Sequence, residues 1–155
     1  MYEEDYIMFM FLSHPLDPAG YAWPGEPVVK TKQCTDVSDD CPFCSFVSEL
    51  PNHCGTHMDA PRHFVKDGFS INDLSIDYFC HTEVALLEIP KGPAEGIYKE
   101  DLEPFADTLS KVSFALIRTG MEKYRETDQN TYQNEGSYIA PSAGDYLTEN
   151  FPNLK

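Results

Sequence analysis

Three short, predominantly apolar runs punctuate the chain: residues 7–12 (Ile-Met-Phe-Met-Phe-Leu), 84–89 (Val-Ala-Leu-Leu-Glu-Ile) and 112–117 (Val-Ser-Phe-Ala-Leu-Ile). Runs this short, bounded by turn formers such as Ser13-His14-Pro15 and Pro90, predict buried strands rather than helices. A fourth strand is expected over residues 44–50. There Cys44, Phe46, Ser48 and Leu50 alternate with Ser45, Val47 and Glu49 until Pro51-Asn52 ends the pattern. Residues 98–105 read as a short helix with its acidic residues early, where the helix dipole favours them. Residues 141–151 read as a second helix, opened by Pro141 in its first turn, with Tyr146 and Leu147 inward. Pro15, Pro18, Gly20, Pro24, Gly25 and Pro27 leave no room for a regular element, so residues 15–28 are a loop. Residues 31–42 are polar, and Asp36, Asp39 and Asp40 mark an exposed turn. Residues 121–137 are polar too, with Tyr124 and Tyr132 as their main apolar anchors. Strands separated by short helices place the fold in the α/β class, a compact mixed β-sheet with short helices.

Length and charge narrow the functional classes. A chain of 155 residues predicts one domain, residues 1–155, able to bury a real core. With 26 acidic and 11 basic residues the net charge is −15. Nucleic-acid binding requires Lys and Arg to replace counterions, so nucleic acid is not an expected partner. An anionic membrane surface is disfavoured for the same reason, and no run approaches the roughly 20 apolar residues that span a bilayer. The acidic start Met-Tyr-Glu-Glu-Asp lacks the basic region of a signal peptide. Five cysteines cannot all pair within one chain. Free thiols in the cytoplasm are the expectation.

The chemistry concentrates in one segment. Three of the five histidines fall within eleven residues, in Asn52-His53-Cys54-Gly55-Thr56-His57-Met58-Asp59-Ala60-Pro61-Arg62-His63-Phe64. His53, His57, Asp59 and His63 are all odd-numbered and would share one face of an extended chain. A straight strand would separate His53 from His63 by roughly 33 Å, so the chain must bend, and Gly55 and Pro61 are where it can. The same two residues argue against a sustained helix. The segment therefore belongs to a strand end and a curled loop. Neutral imidazoles with one carboxylate suit zinc, manganese or a related divalent ion. Asp59, with two oxygens, can bridge two ions. Phe64 offers an apolar wall, Thr56 can hold a ligand in place, and a histidine outside the metal set can move protons. A lone His-x-x-x-His pair is more often a surface or core feature; the added aspartate and third histidine bring the metal reading level with it.

The segment resembles the signature of the cyclase family of metal-dependent hydrolases, which includes bacterial kynurenine formamidase and isatin hydrolase. That signature, His-x-Gly-Thr-His-x-Asp-x-Pro-x-His-Phe, is complete here in His53, Gly55, Thr56, His57, Asp59, Pro61, His63 and Phe64. The flanks are similar as well: Leu12-Ser13-His14-Pro15-Leu16, Trp23-Pro24-Gly25-Glu26-Pro27, and a later Leu116-Ile117-Arg118-Thr119-Gly120. The resemblance implies a fold of the swivelling β/β/α type, assembled as a homo-oligomer. It implies His53, His57 and Asp59 as ligands of zinc or manganese, and His63 as the catalytic proton-transfer residue. It places Trp23 near the substrate pocket; Phe64, read above as an apolar wall next to His63, is the second candidate for binding substrate. The implied reaction is hydrolysis of an amide, formamide or lactam on an aromatic small molecule.

Family members continue past the helix opened by Pro141 into a strand with Gly-x-Asp, and supply a further histidine and a glutamate to the metal. This sequence ends at Asn153-Leu154-Lys155 and holds no histidine after His81. The expectation is a domain without its C-terminal strand and helix. The alternative to an enzyme is then an inactive remnant or a small-molecule or metal-binding module. Three other features carry less. Cys41-Pro42-Phe43-Cys44 lacks the helix that would activate its first thiol, and a zinc site with Cys34 and Cys54 has irregular spacing. His81 reads as a hydrogen-bonded structural histidine. Arg118, able to pair a substrate carboxylate, has many acidic residues to choose from within the chain.

Overall fold

The computed structural model describes residues 11–18, 20 and 23–155. Residues 7–10 of the first expected strand lie outside the described residues, and Phe11 and Leu12 are exposed and outside any strand. Residues up to Met58 and from Asp59 onward form two units, each with its own sheets.

The first unit contains a β-hairpin. Strand β1 (Lys30–Thr35) runs antiparallel to β2 (Ser45–Glu49), with Lys30 opposite Glu49, Lys32 opposite Val47 and an irregularity between Gln33 and Thr35. Polar cross-strand pairs knit it. The Thr35 and Ser45 hydroxyls lie 2.7 Å apart, those of Thr31 and Ser48 3.3 Å, and Lys30 faces Glu49 at 3.7 Å. β1 falls largely in the polar stretch 31–42, where the sequence predicts an exposed turn but no strand. Its sequence, Lys-Thr-Lys-Gln-Cys-Thr, offers no apolar alternation because almost all of it is exposed. The connection holds a small bridge in which the Ser38 and Cys41 backbones exchange hydrogen bonds, the exposed turn expected there.

The second unit is a mixed α/β arrangement. Strands β3 (Val84–Glu88) and β5 (Phe114–Arg118) pair in parallel, from Val84 opposite Phe114 to Glu88 opposite Arg118. β4 (Gly96–Ile97) and β6 (Tyr138–Ile139) make a second parallel pair. Between β4 and β5 the chain forms α1 (Lys99–Leu102), a 3-10 turn over Glu103–Phe105 and α2 (Ala106–Leu109). Between β5 and β6 come α3 (Tyr124–Thr127) and α4 (Gln129–Asn134), and α5 (Pro141–Asn150) follows β6. The core is Leu87, Ile89, Ile97, Leu102, Leu109, Ala143 and Phe151, with Ala85, Ile117, Tyr146 and Leu147 packed against it. The run 84–89 is buried on one face only. Ala85, Leu87 and Ile89 turn inward while Val84 and Leu86 are exposed, the period-two behaviour of a strand covered on one side. On α5 the inward residues are Ala143, Tyr146, Leu147 and then Phe151, the three-four spacing of one helix face. Among the described residues no helix is long and apolar enough to cross a membrane.

Aspartates fasten this unit's turns. Asp101 accepts from Lys91 Nζ at 2.6 Å and from the Tyr98 backbone N–H at 2.8 Å, and the Lys91 ammonium, then that N–H, hold its carboxyl below the usual carboxylate range. Asp73 is held low by the Ser70 backbone and hydroxyl, and Asp128 by the Thr131 backbone and hydroxyl. A carboxyl with a lower folded than unfolded pKa adds stability that is complete above the unfolded value and is lost as pH falls through the folded one. Thermal melts across pH 7 to 3 are therefore expected to show a stability loss beginning near about pH 4. Asp101→Asn lowers the melting temperature at pH 7 and flattens that acid limb. An unchanged limb would remove Asp101 from the account.

Candidate metal centre

After β2 the chain enters a series of tight turns over residues 52–56. Gly55 is the pivot. Its φ of 64° is left-handed, and a Cβ there would lie 2.5 Å from Leu16 Cδ2, so both conformation and space demand glycine. The fold brings His53 and His57 together, with ring centroids 5.3 Å apart and planes at 65°. His53 Nδ1 lies 3.2 Å from His57 Nε2. The other nitrogen of His57, Nδ1, donates to the Gly55 carbonyl at 3.0 Å. A carbonyl only accepts, so Nδ1 carries the hydrogen and the Nε2 lone pair of the neutral ring is left facing His53.

Asp59 completes the cluster: ligand atoms of His53, His57 and Asp59 all lie within 4.8 Å of one another. The donor set fits a divalent ion. Two nitrogens each about 2.0–2.1 Å from one tetrahedral zinc are about 3.3–3.4 Å apart, close to the spacing of the two histidine nitrogens. His57 and Asp59 are exposed and His53 half-buried, so an ion can reach them.

The remaining expected residues take these places. Pro61 opens a 3-10 turn, Pro61–His63, making it the second bend in the segment. His63 ends that turn with its ring centroid 4.1 Å from that of Phe64. Phe64 is 87% exposed and Trp23 65%, large aromatic surfaces open to solvent. Trp23 begins a turn in which the Glu26 N–H donates to its carbonyl at 2.9 Å, with Gly25 left-handed inside. Thr56 is exposed between the two histidines. The group that holds a candidate ligand in orientation is the Gly55 carbonyl, which sequence reasoning missed. The glycine of the motif marks the place, but a backbone oxygen has no letter of its own.

The other features resolve as structural. His81 Nδ1 lies 3.2 Å from Ser113 Oγ, its Nε2 donates to the Tyr78 carbonyl at 3.2 Å, and its ring stacks on Phe114. Arg118 takes Glu122 at 2.8 Å and Glu88 at 3.3 Å, the acidic neighbours available to it. Among the described residues the cysteines are free thiols and form no metal-binding group. Cys44 leads into a strand, not the helix a reactive Cys-x-x-Cys pair uses.

The sequence matches the Cyclase family model ("Putative cyclase") over residues 10–152. It is similar to an uncharacterised protein of Haemophilus influenzae, 66% identical over 123 residues that cover 79% of this chain and 87% of that one. It is also similar to kynurenine formamidases. That of Delftia acidovorans is 30% identical over 82 residues, 53% of this chain and 39% of the relative. That of Sphingopyxis alaskensis is 37% identical over 65 residues, 42% of this chain and 31% of the relative. The matched stretch thus spans less than half the length of these formamidases.

Proposed function

The chain belongs to the cyclase family, and from that premise we propose that it is a metal-dependent hydrolase of an amide, formamide or lactam bond on an aromatic small molecule. The observation that carries this reading is the convergence of His53 Nδ1 and His57 Nε2 at 3.2 Å beside Asp59. The similarity to kynurenine formamidases supports a formamide as the bond cleaved.

His53, His57 and Asp59 would hold zinc or manganese. An ion held there supplies a nucleophile at neutral pH and polarises the carbonyl oxygen. Two neutral imidazoles and one carboxylate leave a divalent ion with excess positive charge, suited to an oxygen that gains negative charge. The Gly55 carbonyl keeps His57 in the tautomer that presents Nε2. His63 is assigned the proton traffic: it takes a proton from the attacking water and returns it to the leaving nitrogen. Trp23 and Phe64 are assigned to the aromatic part of the substrate, which stacks favourably on exposed rings.

The test is hydrolysis of N-formylkynurenine and formanilide by metal-stripped protein titrated with zinc or manganese. Amine release is expected only with metal added, lost with chelator and restored by excess ion. Turnover at full rate in chelator would overturn the metal role. Stoichiometric metal binding without hydrolysis of either substrate or of a lactam would instead make the chain a binding module.

A further inference from the structure

The segment carrying His63 is a closed loop. The His63 N–H donates to the Ala60 carbonyl at 2.9 Å, and the Phe64 and Val65 N–H groups share the Pro61 carbonyl at 3.1 and 2.8 Å. Gly68 N–H donates to Val65 at 2.9 Å, and the mouth is shut by Arg62 N–H donating to the Phe69 carbonyl at 3.1 Å. Gly68 lies against the peptide between Pro61 and Arg62. A Cβ at position 68 would stand 2.8 Å from Arg62 N, 2.8 Å from Pro61 C and 3.1 Å from Pro61 O. Gly68 is not left-handed, so it is glycine for close approach and not for conformation. The atoms it approaches are backbone, pinned by the proline ring and three hydrogen bonds, and cannot swing aside as a side chain would.

We propose that Gly68 is a positioning residue for His63: its bare backbone lets the loop close on the Pro61–Arg62 peptide and so fixes the turn that presents the imidazole. The inference rests on the hydrolase reading for its catalytic consequence, and on the loop geometry alone for its structural one. A methyl group at 68 needs at least about 3.4 Å from its neighbours, the ordinary contact distance. The Pro61–His63 turn must then move by several tenths of an ångström or the Arg62–Phe69 bond must open. Displacements approaching 1 Å at a reacting group cost about 100-fold in rate. His53, His57 and Asp59 precede Pro61 in the chain and keep their ligand set.

Gly68→Ala is compared with wild type by three measurements. With zinc bound, kcat is expected to fall about 10- to 100-fold, with KM and zinc stoichiometry unchanged. Amide hydrogen exchange at Arg62 N–H is expected to be slow in wild type and fast in the variant, while the Ile89 N–H, which donates to Arg118 at 3.0 Å, stays protected in both. The His63 ring resonances are expected to shift while those of His81 stay in place. A kcat within twofold of wild type and unmoved His63 resonances would overturn the proposal. So would an unprotected Arg62 amide in the wild-type protein, a result that does not require the variant to fold. Absence of turnover in zinc-loaded wild type would sink the hydrolase reading alone, and the exchange and resonance measurements would still decide the loop.

Discussion

His57→Ala is expected to abolish zinc binding. His57 provides one of the two converging nitrogens, and its Nε2 sits 3.2 Å from His53 Nδ1. Removing the ring leaves one imidazole and one carboxylate, short of the three protein ligands that a catalytic zinc site uses. Loss of a partner that merely orients a ligand costs about 10- to 100-fold in metal affinity, so loss of the ligand itself must exceed that. Asp59→Asn tests the charge separately, because it keeps the shape and one oxygen but removes the anion. It is expected to weaken binding without erasing it. His81→Ala is the control. That ring is engaged by Ser113 and Tyr78, and its removal should leave affinity unchanged. Calorimetric titration of metal-stripped protein with zinc measures all three. Affinity in His57→Ala within tenfold of wild type would mean that the ion binds elsewhere.

The contrast between what the sequence discloses and what it hides follows from where the information is held. Strands β3 and β5 and helix α5 are legible because each turns apolar residues toward the core, and two of them are bounded by a proline, Pro90 after β3 and Pro141 at the head of α5. Strand β1 is illegible because both faces of the hairpin are exposed and no hydrophobic period marks it. Helices α3 and α4 are too short and polar to show a period, and β4 and β6 are two-residue pairings fixed by the rest of the fold. In the site, Gly55 and Pro61 disclose the bends because their backbone behaviour is intrinsic. The His57 contact to a backbone carbonyl, and the demand for glycine at 68, arise only when the folded chain meets itself.

The role given to His63 makes a quantitative demand. It stands four residues beyond Asp59, past the bend at Pro61, and ends a short 3-10 turn beside Phe64. Imidazole is the side chain suited to taking and returning protons near neutral pH. Such proton transfer contributes roughly 100- to 10,000-fold to a rate. His63→Ala is therefore expected to lower kcat by about that factor with zinc content unchanged. A histidine that only anchored its loop would act differently. Its loss would loosen the 61–69 segment, expose the Arg62 amide to exchange, and lower rates no further than the displacement of neighbouring groups requires. His63→Gln separates the two, since glutamine keeps a hydrogen-bonding side chain but cannot carry a proton in this range. The proton-transfer role requires His63→Gln to be as slow as His63→Ala, with the Arg62 amide still protected. Recovery of most of the rate in His63→Gln would make the residue an anchor. Loss of zinc in step with activity would make it a ligand, and either result would end the assignment.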